Sequence, residues 1–494
     1  MAQSDTSTGS PRALYQTIGL ILGPLMFAII LMLTPPAGLS EAAWHTVAAA
    51  TLIATWWATE AIPVPATSLL PLILLPLLGV TSSKEASLPY AEPVIFLLLG
   101  GFVAAMAMQK WNLHRRIALN ILARVGDHPA ALIGGFMGVS ALLSMWISNT
   151  ATTLMIVPIA ITVAETILKE RVEGHRFTIA LLIGCAWSAS IGGLGTYIGT
   201  PPNLFVKAFI FETTGRDIQF LEWMAFAIPV VVTMVPAAWL VLTKICFPFD
   251  AHLVRGGSEV VQKELEAMGK ITTAEKRVAV LMTVMALLWS FRQVIVKTTW
   301  ITDVLPFVAH MSDMHIAVGA AVATFLIPAG GTQKGHALLD WENAVRLPWG
   351  VILLFGGGLS LAGAIGKTGL AIWLGDAMGG LATAPLYMIV FAVVLLVIFL
   401  TELTSNTATT AALVPVLGAL ATTANIDPIM LAAPTAMAAS CAFMLPVATG
   451  PNAVVFSTGY LNVPHMVRAG LWLNVIGTFI VSAICYTLLP MIFH

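Results

Sequence analysis

The chain has 494 residues, of which 58% are hydrophobic and only 10% are charged, and its formal net charge at pH 7 is -1. Soluble domains contain about 25% charged residues, so this composition excludes a soluble protein. The nearly neutral charge balance argues against nucleic acid as a partner. Long apolar segments recur along the chain and predict an all-α polytopic membrane protein, because the strands of a membrane β-barrel would alternate instead.

Thirteen apolar segments follow one another from the N-terminus. They lie at 14–34, 42–59, 63–80, 92–109, 131–165, 177–208, 218–246, 277–296, 313–329, 348–366, 385–424, 427–458 and 465–492. Two of them, 131–165 and 385–424, exceed the roughly 20 residues that one crossing needs, and each has a polar break in its middle. Broken backbone at membrane depth persists only where it is buried in protein or lines a cavity. We therefore predict that both are re-entrant hairpins, which leaves about 11 transmembrane helices.

The positions of lysine and arginine set the predicted orientation. With both hairpins leaving on the side where they enter and the N-terminus inside, most of the 23 basic residues face the cytoplasm. If each hairpin crossed once, the basic stretches 169–176 and 244–277 would face outward. We therefore predict a multi-pass protein of the cell (inner) membrane, with a cytoplasmic N-terminal tail at 1–13, an interfacial helix within 111–127 and a cytoplasmic linker at 247–276.

The two halves of the chain contain an internal repeat. The six residues Ser-Asn-Thr-Ala-Thr-Thr occur at 148–153 and again at 405–410, inside the two long segments. Two shorter similarities accompany them: Thr-Pro-Pro-Asn at 200–203 with Thr-Gly-Pro-Asn at 449–452, and Gly-Gly at 100–101 and 356–357. The predicted topology places the copies in opposite orientations, so the chain contains an inverted-topology repeat. Paired interrupted segments of this kind indicate the binding site of a transporter near the membrane midplane.

The repeated motif suits the binding of an anion and a small cation. Ser, Asn and Thr supply hydroxyl and amide donors without fixed charge, and Ser and Asn are preferred helix N-caps. Each tip is therefore predicted to end one half-helix and begin the next. Free N–H groups at the start of a half-helix suit a carboxylate or sulfate, whereas free carbonyls with Asn and hydroxyl oxygens suit sodium. The proline-containing breaks are expected to free carbonyls about four residues earlier.

Neither tip and neither break contains a lysine or arginine, so the sequence predicts a site without a fixed positive charge. Burying a dianion there is costly, and bound sodium would supply the compensating charge and couple the two fluxes. The competing interpretation is that Ser and Thr merely allow close helix packing, which one isolated motif would favour and two matched copies do not. For Glu402 the sequence leaves two roles open, a proton or cation site and a hydrogen-bonded structural group.

Other classes of membrane protein are less consistent with the sequence. An intramembrane protease would need a Ser/His pair, two Asp residues or a His-Glu-x-x-His motif inside the membrane, and the apolar segments show none of these. A channel would need a repeated filter or a ring of charge. We therefore predict no catalytic residues, and the inverted repeat favours alternating access.

The paired Ser-Asn-Thr motifs, the Thr-Pro-Pro-Asn break and the stretch 100–116 resemble the divalent anion/sodium symporters, relatives of the eukaryotic sodium-dependent dicarboxylate and citrate carriers, over roughly 18–489. The resemblance implies a homodimer in the lipid bilayer, with a scaffold domain and a mobile transport domain that work by an elevator motion. The implied scaffold segments are 14–127 and 277–380, and the implied transport segments are 128–246 and 381–494.

The resemblance also implies two Na+ sites and one substrate site. The first sodium site would use Ser144, Ser148, Asn149 and Gly199. The second would use Thr401, Thr404, Asn406 and Ala448. The substrate would be held by Asn149, Thr150, Thr200, Ser405, Asn406, Thr407, Thr449 and Gly450. Gly450 stands where many members of the family have proline, which puts the shape of the second break in question.

By this resemblance we expect sodium-coupled symport of C4-dicarboxylates such as succinate, malate or fumarate. Two anion-binding tips that face one cavity suit two carboxylates separated by a short carbon chain. The alternatives are a sodium-independent dicarboxylate exchanger and a sodium-coupled citrate or sulfate transporter. Exchangers of the family tend to replace sodium ligands with basic residues, and the uncharged oxygen donors here favour sodium.

Overall fold

The computed structural model describes residues 13–168, 172–249, 257–331, 333–377 and 384–493. The helices of the first half are α1 (Leu14–Met32), α2 (Glu41–Thr59), α3 (Val64–Thr67), α4 (Leu70–Leu77), α5 (Ser83–Ser87), α6 (Pro93–Lys110), α7 (Leu113–Leu122), α8 (Pro129–Ser144), α9 (Asn149–Leu168), α10 (Arg176–Gly193), α11 (Pro201–Thr214) and α12 (Phe220–Leu240). Those of the second half are α13 (Gly257–Ala267), α14 (Thr273–Lys297), α15 (Thr299–Val304), α16 (Asp313–Leu326), α17 (Trp341–Ala344), α18 (Trp349–Lys367), α19 (Leu370–Ala377), α20 (Leu386–Thr401), α21 (Asn406–Thr423), α22 (Ile429–Ala439), α23 (Gly450–Ser457) and α24 (Val463–Phe493). The predicted N-terminal tail lies outside the described residues except for Ala13.

Each predicted apolar segment coincides with one or two of these helices. In the described part of the chain, eight helical stretches are long and apolar enough to cross a membrane: Leu14–Met32, Ser83–Lys110, Asn149–Leu168, Arg176–Gly193, Phe220–Cys246, Thr273–Lys297, Trp349–Lys367 and Val463–Phe493. The chain is therefore a helical, multi-pass membrane protein, as the composition predicts. The count of about 11 crossings and the two re-entrant hairpins remain predictions.

A small antiparallel β-hairpin departs from the all-α prediction. Strand β1 (Pro328–Gly330) pairs with β2 (Gln333–Ala337). Gly330 and Gly331 have φ of 74° and 61°, a left-handed backbone that glycine adopts without strain. Arg277 on α14 donates a 2.6 Å hydrogen bond to the Pro328 carbonyl and holds the hairpin against that helix. Such short strands carry too weak a sequence pattern to be predicted.

The amphipathic stretch at 111–127 forms helix α7, and its basic face binds the linker region. The guanidinium of Arg115 lies 2.5 Å from the Glu264 carboxylate on α13. Arg116 lies 2.7 Å from Glu275 on α14 and also donates hydrogen bonds to the Met268 and Gly269 carbonyls. These contacts join the first half of the chain to the linker that precedes the second half.

A network of four charged residues, in which only Asp217 is substantially exposed, joins α11, α14 and α16. Lys207 on α11 lies 2.5 Å from Asp217 and 3.2 Å from Asp313 on α16. Arg292 on α14 lies 2.7 Å from each of the same two carboxylates. The Tyr197 hydroxyl donates a further 2.9 Å hydrogen bond to Asp313. Each charge thus has opposite charges beside it, which offsets the cost of removing it from water. The network joins segments that the family resemblance assigns to different domains.

Both glycine pairs of the repeat include residues that allow close packing, and neither pair lines the central cavity. A Cβ atom on Gly100 of α6 would lie 2.5 Å from the carbonyl carbon of Ala317 on α16. In the second half, Gly357 of α18 lies against the carbonyl of Ser68 in the same way. The backbones therefore approach to a distance that any larger residue would prevent.

We expect Gly100→Ala to lower the free energy of unfolding by about 1–3 kcal/mol, because the added methyl must push α6 and α16 apart. The matched control is Gly319→Ala on α16, where a Cβ meets no atom within 4 Å. Thermal melting of both purified variants in detergent measures the difference. An equal change in melting temperature for the two would contradict this account of the packing.

Candidate functional site

The first repeated motif forms a sharp interruption between α8 and α9, which we call the first tip (145–151). Helix α8 ends at Ser144 and α9 begins at Asn149, as predicted. The Ser148 hydroxyl caps the new helix by accepting a 3.3 Å hydrogen bond from the Ala151 N–H. Ser144 donates a 2.6 Å hydrogen bond to Asn149 Oδ1. Gly193 of α10 makes room for this amide, since a Cβ there would lie 2.5 Å from Asn149 Oδ1.

The second motif repeats this geometry between α20 and α21, at the second tip (402–408). The Thr401 hydroxyl donates a 2.9 Å hydrogen bond to Asn406 Oδ1, which matches the Ser144–Asn149 pair. The predicted N-cap differs, because the Ser405 side chain makes no capping hydrogen bond. Thr404 instead pairs with the Thr409 hydroxyl at 2.6 Å.

The first helix break (194–200) separates α10 from α11. The buried amide nitrogen of Asn203 donates hydrogen bonds to the carbonyls of Gly193, Leu194 and Thr196 at 3.0, 3.2 and 2.8 Å. The carbonyls that Pro201 and Pro202 are expected to free lie about four residues before them, near 197 and 198, so that expectation stays a prediction. A side-chain donor takes the place of the missing helix N–H groups.

The second helix break (440–449) between α22 and α23 is held in the same manner. Asn452, the counterpart of Asn203, donates to the carbonyls of Ala442 and Leu445 at 3.1 and 3.0 Å. Its own backbone N–H donates to the Thr449 hydroxyl at 3.1 Å. The two asparagines of the Pro-Asn motifs thus organise the backbone of the breaks.

The carbonyls of Gly199 and Ala448 have different surroundings. The residue three positions later is proline in each copy, Pro202 and Pro451, so it has no N–H to donate. The N–H four positions later is also engaged, since Asn203 donates to the Thr200 carbonyl and Asn452 donates to the Thr449 hydroxyl. These two carbonyls thus lack both ordinary helical donors.

Both tips and both breaks meet at one cavity of about 820 Å³. It is lined by all eight residues predicted to hold the substrate: Asn149, Thr150, Thr200, Ser405, Asn406, Thr407, Thr449 and Gly450. Of the predicted sodium ligands, Ser148, Asn149, Gly199, Thr404, Asn406 and Ala448 also line it. Ser144 and Thr401 lie behind it, where they hydrogen-bond the two asparagine side chains.

Gly450 lies where the second break contacts the first tip. Its Cα lies against the hydroxyl of Thr150, so a Cβ at this position would clash with that side chain. Glycine at this position therefore allows the first tip to pack against the second break.

Charged residues also line the cavity, and sequence reasoning missed them. Glu60, Lys110 and Arg346 contribute to its wall, together with the polar side chains of Gln109 and Asn343. The prediction of a site without lysine or arginine holds for the tips and breaks and is wrong for the cavity as a whole. Lys110 and Arg346 are far from the repeated motifs in sequence, so no local pattern indicated their position.

Glu402 lies in the second tip and is only 4% exposed. Its carboxylate accepts hydrogen bonds of 2.7 to 3.1 Å from the N–H groups of Phe443, Met444 and Leu445. The amide of Asn474 on α24 donates another at 2.8 Å. This full set of donors favours the structural role, in which Glu402 fixes the second break to the second tip.

Two interrupted helices and two polar tips that converge on one cavity are typical of a secondary transporter. Residues 15–493 match the family model described as the sodium:sulfate symporter transmembrane region, and the chain belongs to this family. It is a membrane transporter and not an enzyme.

Curated relatives support the same assignment. The chain is 40% identical over 482 residues to the sodium-dependent dicarboxylate transporter SdcS of Staphylococcus saprophyticus. That alignment covers 96% of this chain and 92% of the relative. It is 38% identical over 495 residues to SdcS of Staphylococcus aureus strain MRSA252, and that alignment covers 99% of this chain and 94% of the relative. The crystal structure of the Alcanivorax borkumensis YdaH transporter shares the fold, with a TM-score of 0.53 and 14% identity over 83% of this chain and 87% of that one.

We expect Glu402→Ala to lower the free energy of unfolding by about 2–4 kcal/mol, because four donors, two of them buried, lose their acceptor. The control is Glu165→Ala, which removes an exposed carboxylate that accepts one hydrogen bond from Tyr460 and should cost less than about 1 kcal/mol. Denaturation of both variants in mixed micelles measures their free energies of unfolding relative to the wild-type protein. Equal losses would contradict the structural role of Glu402.

Proposed function

We propose that this protein is a sodium-coupled symporter of C4-dicarboxylates that works by an elevator form of alternating access. The observation that carries the proposal is the matched geometry of the two tips. In each, an asparagine Oδ1 is held by a hydroxyl, next to a break whose carbonyl lacks its helical donors. The names of the relatives, sodium-dependent dicarboxylate transporters, support the same substrate and coupling ion.

The oxygen atoms suit two sodium ions. At the first tip, Asn149, Ser148 and Gly199 all line the cavity, with Ser144 behind Asn149. At the second tip, Asn406, Thr404 and Ala448 are placed alike, with Thr401 behind Asn406. Neutral hydroxyl, amide and carbonyl oxygens are the ligands expected for a hard cation such as Na+.

The side-chain amide nitrogens of Asn149 and Asn406 suit the carboxylates of the substrate. Since Oδ1 of Asn149 and of Asn406 accepts a hydroxyl hydrogen bond, Nδ2 is the end that can donate to a substrate. The hydroxyls of Thr150 and Thr407 and the N–H groups that begin α9 and α21 add further donors beside it. A short dicarboxylate would bridge the two tips, and sodium would balance its charge.

The orientation follows from the basic residues. Lys110 and Arg346 line the cavity, and the positive-inside rule assigns both residues to the cytoplasm. We propose that the N-terminus is cytoplasmic and that this is the inward-facing state of a homodimeric elevator. The scaffold would comprise 14–127 and 277–380, and the transport domain would comprise 128–246 and 381–494.

We expect purified protein in proteoliposomes to accumulate radiolabelled succinate when an inward sodium gradient is imposed, and to stop when potassium replaces sodium. Coupling requires this, because the dianion needs sodium as its counter-charge. Uptake that ignores sodium and needs internal dicarboxylate would instead identify an exchanger. Competition by unlabelled citrate and sulfate compares the remaining candidate substrates, and stronger inhibition by either than by succinate would contradict the C4 assignment.

We expect Asn149→Asp and Asn406→Asp to abolish succinate uptake while retaining sodium-dependent thermal stabilisation. Each change keeps an oxygen for the cation, replaces the amide donor and places a negative charge beside the carboxylate. The control Asn120→Ala removes an amide on α7 that donates to the Arg116 carbonyl of the same helix and should transport normally. Wild-type uptake by both aspartate variants would mean that the substrate site is misplaced.

A further inference from the structure

The cavity wall contains charges that neither the predicted sodium sites nor the predicted substrate site uses. Glu60 follows α2, Lys110 ends α6, and Arg346 lies between α17 and α18. All three belong to the segments proposed as scaffold, whereas the tips belong to the proposed transport domain. A fixed charge on this wall acts on an ion that enters or leaves the tips.

The positive charge of Lys110 is paired with a carboxylate. Its ammonium lies 2.6 Å from the Asp340 carboxylate. Hydrogen bonding to Lys110, together with the N–H and amide donors of Asn343, holds the pKa of Asp340 well below its ordinary value. The pair therefore stays ionised and matched at physiological pH, and it adds little net charge to the cavity.

Arg346 is in a different situation. Among the described residues no carboxylate lies within ion-pair distance of it, and its side chain is exposed to the cavity. Its backbone is fixed nonetheless, since its N–H donates to the Asn343 carbonyl at 3.1 Å and Leu347 beside it is buried. A rigid turn thus presents to the cavity a guanidinium that has no ion-pair partner among the described residues.

We propose that Arg346 is a positioning residue that attracts the substrate dianion at the cytoplasmic mouth and thereby sets the apparent affinity on that face alone. This inference rests on the function proposed above. Because Arg346 lies in the proposed scaffold, the tips leave its field when the site moves outward. In a water-filled cleft, a unit charge within about 8 Å of a dianion changes its local concentration by roughly two- to fivefold.

Glu60 supplies an internal test of this electrostatic role. It lines the same cavity with the opposite charge, and its backbone is left-handed, with φ of 47°. Glycine would adopt this backbone conformation with less strain, so the local backbone does not require a carboxylate here. Removing this charge should shift the affinity for a dianion in the direction opposite to the loss of Arg346.

The experiment compares sodium-driven succinate transport in right-side-out and inverted membrane vesicles. We expect Arg346→Gln to raise the KM about two- to fivefold in inverted vesicles and to leave it within about 1.5-fold in right-side-out vesicles. Arg346→Lys should retain the wild-type KM, and Glu60→Gln should lower the KM on the cytoplasmic face. Added choline chloride at constant sodium should shrink all of these differences, because salt screens exposed charges.

The matched control is Arg124→Gln, an exposed arginine that donates to the Asn120 carbonyl and does not line the cavity. Its KM should equal the wild-type KM on both faces. An unchanged cytoplasmic KM in Arg346→Gln, or an equal change on both faces, would overturn the role of Arg346 alone. Absence of sodium-driven transport by the wild-type protein would refute the proposed function, and this inference with it.

Discussion

The structure depends on one constraint, which is that interrupted backbone inside a membrane must find hydrogen-bond partners within the protein. Asn203 and Asn452 meet most of this requirement, because each directs one side-chain amide at several carbonyls of a break. The carbonyls of Gly199 and Ala448 fall where proline removes the next helical donor. The breaks are therefore held in place, and each contributes one of these residues, Gly199 or Ala448, to the lining of the cavity where a cation is proposed to bind.

The two copies solve the same problem with different side chains. In the second half, the Glu402 carboxylate accepts hydrogen bonds from N–H groups of the second break. The first half has Met145 at the corresponding position, and there the Thr196 hydroxyl donates to the Met145 carbonyl at 2.7 Å while Trp223 donates to Leu194. The repeat thus preserves the backbone geometry of tip and break and not the identity of the groups that hold them. A buried carboxylate beside only one tip also makes the two proposed sodium sites electrostatically unequal.

The charged residues are few, and many of them lie in a small number of separate clusters. The tips contain no lysine or arginine, and their one carboxylate, that of Glu402, is surrounded by hydrogen-bond donors. Other ionised groups lie on the cavity wall, at the contact of α7 with the linker, and in the network of Lys207, Asp217, Arg292 and Asp313. Because that network joins elements proposed to belong to different domains, it stabilises their present arrangement.

The sequence by itself determined the class of protein, the position of its helices and the residues of the tips and breaks, because hydropathy and an internal repeat are local signals. It could also predict that Asn149 and Asn406 line one site, since matched interrupted segments converge in inverted repeats. Only the tertiary structure decided how those amides are oriented, why Gly450 is small and that Glu402 holds the second break. It also decided that Lys110 and Arg346 reach the cavity, since these depend on contacts between residues distant in sequence. Such contacts are set by packing and leave no periodic pattern in the chain.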